Sequence, residues 1–260
     1  MITMFREWMF QIWYWYVNNV DKNAEVLFMN YGYKHPDLNV DLSPEDEPNR
    51  YSAQLYHLLG CAVELQGKDI VEIGCGRGGG LSYIVKTFKP HTALGIDLNK
   101  NATKFCNKHY KHVGLSFLQG DAQNLQMLSD NTYDAIFNVE SSHRYPRMDL
   151  FLSEVKRLLR PGGYFLYTDF RYDYEMSELK QQLNESGLEL VKEVMITDNV
   201  VAALKADDAR KRLLIKRLAP RFIHKVALNF AGTVGSETYN QFANHKYEYY
   251  HYVLKKSKDK

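Results

Sequence analysis

The stretch EIGCGRGGG, residues 72–80, decides the fold. It ends an apolar run that has the character of a buried strand, and it opens a segment with the periodicity of a helix. Glycines at such a junction let the backbone turn tightly and approach a ligand closely, with the helix N-terminus directed at that ligand. Because Gly74, Gly76 and Gly79 match the G-x-G-x-x-G fingerprint, the stretch predicts a nucleotide-binding turn between a strand and a helix.

Short apolar runs and helical patterns alternate through the middle of the chain. The runs are IVEIG (70–74), TALGID (92–97), LSFLQG (115–120), YDAIFNV (133–139) and YFLYTDF (164–170), and helical patterns occupy residues 81–87, 100–109 and 149–159. Runs of this kind predict buried parallel strands, and their alternation with helices implies right-handed βαβ units. The sequence RPGG (160–163) is expected to end the last of these helices, because proline cannot continue a helix.

The remaining segments complete a single domain with a cap. We expect helices over residues 51–65 and 174–186, strands over 188–196 and 247–254, and a mainly helical stretch between those two strands that is too long for a loop. The predicted fold is α/β and Rossmann-like, a seven-stranded and mostly parallel sheet with an antiparallel terminal strand and a helical cap. The predicted division is 1–66 for N-terminal helical cap elements, 67–196 for the cofactor-binding core, 197–245 for a helical insertion of the cap, and 246–260 for the terminal strand and basic tail.

Charge and aromatic content limit the classes of partner. Lys and Arg total 33 against 31 Asp and Glu, a net charge of +2, and the basic residues are dispersed apart from the tail. This does not favour nucleic acid as a partner. The chain contains 19 tyrosines among 13% aromatic residues. That is more ring surface than a core of this size needs, so it favours an apolar ligand pocket.

Cysteine usage and hydropathy bear on the compartment and on metals. The three cysteines, Cys61, Cys75 and Cys106, lack C-x-x-C spacing, so neither a disulfide framework nor a zinc site is indicated. No set of His, Asp, Glu and Cys has metal-ligand spacing, and we expect no metal. No apolar run approaches the roughly 18 to 20 residues of a membrane span, and Glu7 lies where a secretory signal would be uncharged. A cytoplasmic protein is expected.

An aromatic and aliphatic stripe marks the first residues of the chain. Apolar residues recur in pairs four positions apart over residues 4–17, which is typical of one face of a helix. Such a helix packs on its own domain, covers a ligand or rests on a membrane surface. The sequence leaves these three roles open, and peripheral membrane contact through this helix is one of them.

Several features favour S-adenosylmethionine (SAM) over a dinucleotide as the cofactor. Asp97 ends the second strand, where an acid binds ribose hydroxyls in either case. Glu72 lies two residues before the first glycine, where a pyrophosphate is disfavoured but the cationic methionine end of SAM is not. Asp121 follows the third strand, where a carboxylate accepts a hydrogen bond from an adenine amino group. The chain also closes with a strand pair rather than with a second dinucleotide-binding half.

The segment FNVESSHRYP, residues 137–146, lies at the carboxyl end of the fourth strand, where open α/β sheets bind ligands. We expect Asn138 and Glu140 to face the cofactor and His143 to face the acceptor. Asp169 ends the neighbouring fifth strand. A neutral imidazole accepts a proton from a hydroxyl, while a carboxylate holds the ring and stabilises the cation that forms.

Six segments together resemble the class I SAM-dependent methyltransferases. They are DEPNR (46–50), GCGRGGGLSYI (74–84), GIDLN (95–99), GDAQNL (120–125), FNVESSHRYP (137–146) and LRPGGYFLYTDFR (159–171). Within that class the chain is similar to the phthiotriol/phenolphthiotriol dimycocerosate methyltransferases, which O-methylate a hydroxyl on a complex lipid. The similarity covers residues 30–172 and is weak in the first twenty residues and after residue 196.

The resemblance implies roles for individual residues. Gly74 and Gly76 would contact the methionine part of SAM, Asp97 the ribose, and Asp121 with Ala122 the adenine. Cys75 and Leu98 belong to the same motifs and complete the predicted cofactor site, together with Glu72, Asn138 and Glu140. His143 and Asp169 match the base and its orienting acid in related sugar and small-molecule O-methyltransferases.

The sequence therefore predicts transfer of a methyl group from SAM to a hydroxyl of a small-molecule or lipid-like acceptor, with His143 as general base oriented by Asp169. Three alternatives stay open. Carbon methylation of the sterol-methyltransferase type would use a carboxylate such as Glu140 to steady a developing cation. The others are a SAM-sensing module without turnover and an NAD-dependent oxidoreductase. The oligomeric state is not indicated.

Overall fold

The computed structural model describes Asp21 and residues 24–258. The aromatic stripe predicted over residues 4–17 lies outside the described residues. Among the helices that are described, none is both long and apolar enough to cross a bilayer.

A seven-stranded sheet forms the centre of the described chain. Its strands are β1 (Asp69–Ile73), β2 (Thr92–Asp97), β3 (Leu115–Gln119), β4 (Tyr133–Val139), β5 (Leu159–Tyr172), β6 (Glu189–Met195) and β7 (Tyr247–Lys255). Their order is β3-β2-β1-β4-β5-β7-β6, with β7 antiparallel to both of its neighbours and the other pairs parallel. The predicted α/β architecture, a mostly parallel sheet with an antiparallel terminal strand, is confirmed.

Helices cover both faces of this sheet. They are α1 (Arg50–Gly60), α2 (Gly79–Phe88), α3 (Lys100–His109), α4 (Met148–Leu158), α5 (Met176–Glu185), α6 (Thr197–Leu218), α7 (His224–Phe230) and α8 (Glu237–Ala243). Alternate residues of β1 point to opposite faces, because side chains in a strand alternate. Ile70 packs into the core beneath α1, α2 and α3, whereas Val71 and Ile73 pack beneath α4 and α5.

Two helix boundaries differ from the prediction for local reasons. Helix α1 ends at Gly60, five residues before the predicted end, yet Leu65 is fully buried in the core. The apolar periodicity therefore continued past the helix into a turn. Helix α4 ends at Leu158, and the RPGG segment lies within β5, where the pairing register with β4 shifts. Gly162 accommodates this irregularity with a φ of +84°.

The cap has two parts. Helices α6, α7 and α8 lie between β6 and β7, and Ile215, Ala219 and Ala227 form a small core of their own among them. The other part is irregular rather than helical over residues 24–46, a stretch that contains Gly32, Pro36 and Pro44. The predicted division into four segments remains a prediction.

A buried ion pair joins the N-terminal segment to the glycine-rich turn. Arg77, inside the turn, is buried, and its Nη2 lies 3.1 Å from Oδ2 of Asp21. The guanidinium also lies over the ring of Phe105, 3.8 Å from the ring centroid. Nearby, the amide of Gly79 donates to the carbonyl of Leu27. Asp21 and the beginning of the cap's irregular segment, at Leu27, are thus attached to the glycine-rich turn and the start of α2.

Gly80 in α2 should be intolerant of alanine, although alanine normally stabilises a helix interior by about 1 kcal/mol. A Cβ at this position would overlap the ring of Tyr56, which is buried. We expect Gly80→Ala to lower the free energy of unfolding by about 1–3 kcal/mol in urea denaturation. In a Tyr56→Leu background the added cost should largely disappear. An equal cost in both backgrounds would contradict the proposed clash.

Candidate active site

A cavity of about 490 Å³ lies at the carboxyl ends of the parallel strands. From β1 the chain runs outward through β2 to β3 on one side and then crosses to β4 on the other side of β1, and open α/β sheets bind ligands at such a reversal. Nine of the twelve predicted site residues line the cavity: Gly74, Cys75, Gly76, Asp97, Leu98, Asp121, Ala122, Glu140 and His143. The other three, Glu72, Asn138 and Asp169, lie behind its wall.

The glycine-rich turn forms the floor of the cavity. Gly74 has a φ of +80°, and a Cβ there would overlap Oγ of Ser141 and lie 2.8 Å from the Tyr145 hydroxyl. The amides of Gly74 and Cys75 both donate to the carbonyl of Ile96, at 2.8 and 2.9 Å. The backbone is therefore pinned to the end of β2, and only glycine fits at position 74, because Ser141 and Tyr145 already occupy the space beside it.

Asp97 is held rigidly at the end of β2. Its Oδ2 accepts a hydrogen bond from the amide of Gly76 at 2.9 Å, and its Oδ1 accepts one from the amide of Asn99 at 2.8 Å. Each carboxylate oxygen can accept a second hydrogen bond. The position suits recognition of a vicinal diol such as the ribose hydroxyls of SAM.

The cavity continues towards the ends of β2 and β3. Leu98, which is 70% exposed, lines it together with Ala122 and Asp121. Oδ1 of Asp121 accepts a hydrogen bond from the amide of Gln123 at 3.0 Å, which fixes the carboxylate in its turn. Apolar side chains with a carboxylate beside them suit a flat ring that carries an amino group, as adenine does.

Glu72 and Asn138 support the wall rather than line it. The Tyr56 hydroxyl donates to Oε1 of Glu72 at 2.6 Å, and burial raises the pKa of Glu72 to about 8. Nδ2 of Asn138 donates to the carbonyl of Ile73 at 2.8 Å and to Oγ of Ser141 at 2.7 Å. Asn138 therefore does not face the cavity, contrary to what the sequence pattern predicts, but lies behind the glycine turn.

His143 and Asp169 meet as a hydrogen-bonded pair, although 26 positions separate them in sequence. Nδ1 of His143 lies 2.8 Å from Oδ1 of Asp169, and the amide of His143 donates to Oδ2 at 2.9 Å. Oγ of Ser142 also donates to Oδ2, at 2.7 Å. The Phe170 ring packs on the imidazole with centroids 4.6 Å apart. The ring orientation is thus fixed by Asp169 and Phe170, and Ser142 and the His143 amide hold the Asp169 carboxylate in place.

The charges in this pair follow from its surroundings. Burial alone would raise the pKa of Asp169, but His143 and Arg171 hold it well below its ordinary value. Burial lowers the pKa of His143, with Asp169 acting in the opposite direction. Asp169 is therefore an anion and His143 is neutral at pH 7, with its proton on Nδ1 where the carboxylate accepts it. This leaves a lone pair on Nε2, which accepts a hydrogen bond from Nε of Arg144 at 3.1 Å.

Two ionisable groups, the half-buried Glu140 and the buried Lys211, lie on the cavity wall. Glu140 has a φ of +49°, and its Oε1 accepts hydrogen bonds from the Tyr31 amide at 2.8 Å and the Tyr249 hydroxyl at 2.7 Å. Burial raises its pKa to about 8. Nζ of Lys211 donates to the carbonyl of Ala231 at 3.1 Å, and burial lowers the pKa of Lys211 to about 8.

The cap closes the far side of the cavity with apolar side chains. These include Val26, Phe28, Leu214, Ile215 and Phe230. None of them was singled out by the sequence analysis, nor were the polar residues Tyr31, Arg144, Lys211 and Tyr249 described above. Among the residues that the structure describes, no group of three or more His, Cys, Asp or Glu side chains is arranged to hold a metal ion.

Comparisons with known proteins agree with this geometry. A family model described as a methyltransferase domain matches residues 71–167. The fatty-acid O-methyltransferase of Mycolicibacterium smegmatis is 44% identical over 211 residues, which cover 81% of this chain and 77% of that protein. The phthiotriol/phenolphthiotriol dimycocerosates methyltransferase of Mycobacterium tuberculosis is 37% identical over 231 residues, 87% of this chain and 85% of that protein.

Among solved structures, the geranyl diphosphate C-methyltransferase of Streptomyces coelicolor, in complex with Mg²⁺, geranyl diphosphate and S-adenosyl-L-homocysteine, superposes with a TM-score of 0.65. It covers 93% of this chain and 98% of that chain at 15% sequence identity, so the likeness concerns the fold. The pinned glycine turn and the carboxylate at the end of β2 fit SAM. Together with the identity to the curated relatives over most of both chains, they show that this chain belongs to the class I SAM-dependent methyltransferases, in the family of the phthiotriol/phenolphthiotriol dimycocerosates methyltransferases.

Proposed function

We propose that this methyltransferase acts on a hydroxyl of a lipid-like acceptor, with His143 as general base and Asp169 as its orienting partner. The observation that carries the proposal is the buried pair itself. Nδ1 of His143 is committed to Asp169 at 2.8 Å, while His143 contributes to the cavity wall. The basic Nε2 is therefore available to a ligand once the exposed Arg144 side chain moves aside.

The chemistry required of the chain is modest. When bound, SAM would supply a methyl group from a sulfonium centre; the methyl–sulfur bond would break as the new bond forms, and S-adenosylhomocysteine would leave. An alcohol at neutral pH is a poor nucleophile, so Nε2 of His143 takes the hydroxyl proton as the oxygen forms its bond to the methyl carbon. Asp169 stabilises the imidazolium that results, and the acceptor leaves as a methyl ether. The closed apolar cap contributes alignment and excludes water from the attacking oxygen.

The acceptor class is supported by the cap and by the relatives. The cavity wall on the cap side carries Phe28, Leu214 and Phe230, which suit an alkyl chain. Two relatives are named for action on fatty acids and on phthiotriol dimycocerosates, both lipids. The cavity would therefore accommodate a long-chain molecule that lays its alkyl chain along the cap and directs its hydroxyl to His143.

A second candidate is methylation of a fatty-acid carboxylate to a methyl ester. The observation that favours it is the pair of cationic side chains on the wall, Arg144 beside His143 and the buried Lys211. Both could hold an anionic head group, and a carboxylate is already ionised at neutral pH. Methylation of a carboxylate needs no general base, so in this reaction His143 would only position the acceptor.

Matched acceptors of one chain length separate these reactions. The protein is incubated with labelled SAM and, in turn, a fatty alcohol, the corresponding fatty acid and the corresponding terminal alkene. Mass spectrometry of a methyl ether supports the proposed hydroxyl chemistry. A methyl ester as the sole product replaces the hydroxyl chemistry with the second candidate, and an unbranched alkene one carbon longer than the acceptor would indicate carbon methylation.

SAM should bind more tightly as the pH rises from 6 to 9. Burial raises the pKa of Glu140 to about 8, so the carboxyl is largely protonated at neutral pH. A cationic ligand beside it favours the ionised form, and binding then releases a proton, so affinity increases with pH. We expect a gain of about tenfold by calorimetry across this range, smaller for S-adenosylhomocysteine, which lacks the sulfonium charge.

Glu140→Gln is the matched variant, because an amide still accepts the hydrogen bonds from Tyr31 and Tyr249. The titration of the ligand's own amino group is common to both proteins and cancels in the comparison. The variant should show a flatter dependence of SAM affinity on pH. An unchanged slope would place the cationic end of SAM away from Glu140.

A further inference from the structure

The cap contains a long stretch of sequence in which every charged side chain is basic. Residues 209–236 include no Asp or Glu, and they carry seven basic side chains. These are Arg210, Lys211, Arg212, Lys216, Arg217, Arg221 and Lys225. The excess is local, since the whole chain has a net charge of only +2.

Four of the seven have partners within the fold. Arg210 and Arg212 pair with Asp207 and Asp208, and Arg217 pairs with Glu25. Lys211 points into the cavity wall and donates to a backbone carbonyl. Lys216, Arg221 and Lys225 are exposed and form no ion pair with any residue that the structure describes. Three cations are therefore available to a partner.

Two large apolar side chains lie among these cations. Phe222 is 86% exposed and Leu213 is 68% exposed. Phe222 follows Arg221 in the short 3₁₀ turn Arg221–Ile223, and its neighbour Ile223 packs against the small cap core. The turn is thus anchored through Ile223, while the Phe222 ring is presented to solvent. Exposed aromatic residues among cations are typical of surfaces that enter the headgroup region of a bilayer.

Helix α6 connects this surface to the cavity. Lys211, Leu214 and Ile215 face the cavity. Leu213, Lys216 and Arg217 lie on the opposite side of the helix, because residues three and four apart share a face. A single helix thus has the acceptor cavity on one side and the basic, apolar surface on the other.

We propose that this outer face of the cap, formed by Leu213, Lys216, Arg221, Phe222 and Lys225, docks onto an anionic lipid bilayer. The cations attract acidic headgroups, and Phe222 enters the interface between headgroups and acyl chains. A second copy of the chain fits less well, since a symmetric contact would bring like charges together. Docking stands independently of the proposed acceptor, although a lipid acceptor would give it a purpose.

Vesicle co-sedimentation of the full-length protein tests this inference. Vesicles of phosphatidylcholine are compared with vesicles that also contain phosphatidylglycerol. We expect binding to the anionic vesicles that weakens with added salt. Arg221→Ser and Lys225→Ser should each weaken it about fivefold, and Phe222→Ser about tenfold. Matched controls are Lys104→Ser, an exposed cation on α3, and Val113→Ser, a valine that is 99% exposed outside the cap.

The outcomes separate the alternatives. The proposed bilayer surface is supported if the cap variants lose binding to anionic vesicles while the control variants bind as the wild type does. The Tm of every variant should be unchanged. Equal vesicle binding by wild type and cap variants overturns the proposal, and so does a wild-type dimer in sedimentation velocity that Phe222→Ser dissociates. Because binding is read without turnover, failure of the proposed hydroxyl chemistry leaves this result intact. Turnover of an acceptor dispersed in detergent should be the same in Phe222→Ser and wild type.

Discussion

Replacing His143 with alanine should lower kcat for a hydroxyl acceptor by about 10²–10⁴-fold. The imidazole is neutral and fixed, with Nδ1 at 2.8 Å from Asp169. Its removal leaves the acceptor hydroxyl without a base, while the glycine turn and Asp97 are untouched. SAM affinity measured by calorimetry should therefore stay close to the wild-type value.

Asp169→Asn completes the test of this pair. The amide keeps the shape but stabilises an imidazolium less well, so kcat should also fall. Because the two residues act as a unit, the double variant should be little slower than His143→Ala alone. Additive losses would show that they work separately. Normal turnover in His143→Ala would leave proximity and orientation as the source of the rate.

The pH profile gives an independent reading of the same group. Burial lowers the pKa of His143 from its ordinary value of 6.5. The base is active when unprotonated, so kcat/KM should fall on acidification only at pH values below 6.5. The fall should be absent from the residual activity of His143→Ala.

Asp97→Ala should weaken SAM binding by roughly 10- to 150-fold, which corresponds to about 1.5–3 kcal/mol for hydrogen bonds to a charged group. The carboxylate of Asp97 accepts hydrogen bonds from the amides of Gly76 and Asn99. The variant therefore loses both the proposed ribose contact and an anchor of the turn. SAM and S-adenosylhomocysteine should be affected equally, since the ribose is common to both.

Asp97→Asn serves as the matched control. The amide retains one oxygen for the Gly76 amide, which keeps this anchor of the glycine turn, whereas its NH2 group cannot accept from the Asn99 amide and the charged acceptor is lost. We expect an intermediate dissociation constant and a free energy of unfolding close to that of the wild type. Wild-type affinity in Asp97→Ala would remove Asp97 from the ribose site.

The sheet was predictable because its strands are nearly continuous apolar runs. The predicted bounds of β2 and β4 match the structure, those of β1 are shifted by one residue, and β3 ends one residue earlier than predicted. The start of β5 was missed because the RPGG segment joins the strand through a register shift, and a sequence containing Pro161 and two glycines favours a turn. The predicted α1 was likewise too long, because Leu65 is buried as a helical core residue would be but lies in the turn after the helix.

Only those site residues that come directly after the end of a strand could be predicted from the sequence. Glycine motifs and acids after strand ends carry a local signal, and this identified Gly74, Asp97 and His143. Lys211 reaches the same cavity from the cap, and Tyr249 on β7 donates to Glu140 on the cavity wall; both lie more than 60 residues after His143. Lysine in a helix ordinarily lies in solvent, so no local pattern distinguishes Lys211 from its exposed neighbours.

The buried ion pair between Arg77 and Asp21 limits how many residues can be removed from the N-terminus without loss of stability. Breaking a buried ion pair by removing one partner costs about 3–5 kcal/mol, a large part of the stability of an ordinary domain. Arg77 lies inside the glycine turn, so this loss would fall on the cofactor site. Genetic trimming or protease cleavage that spares Asp21 keeps this counter-charge, whereas a cut a few residues later removes it. An N-terminal truncation that removes Asp21 should therefore weaken the cofactor site as well as the fold.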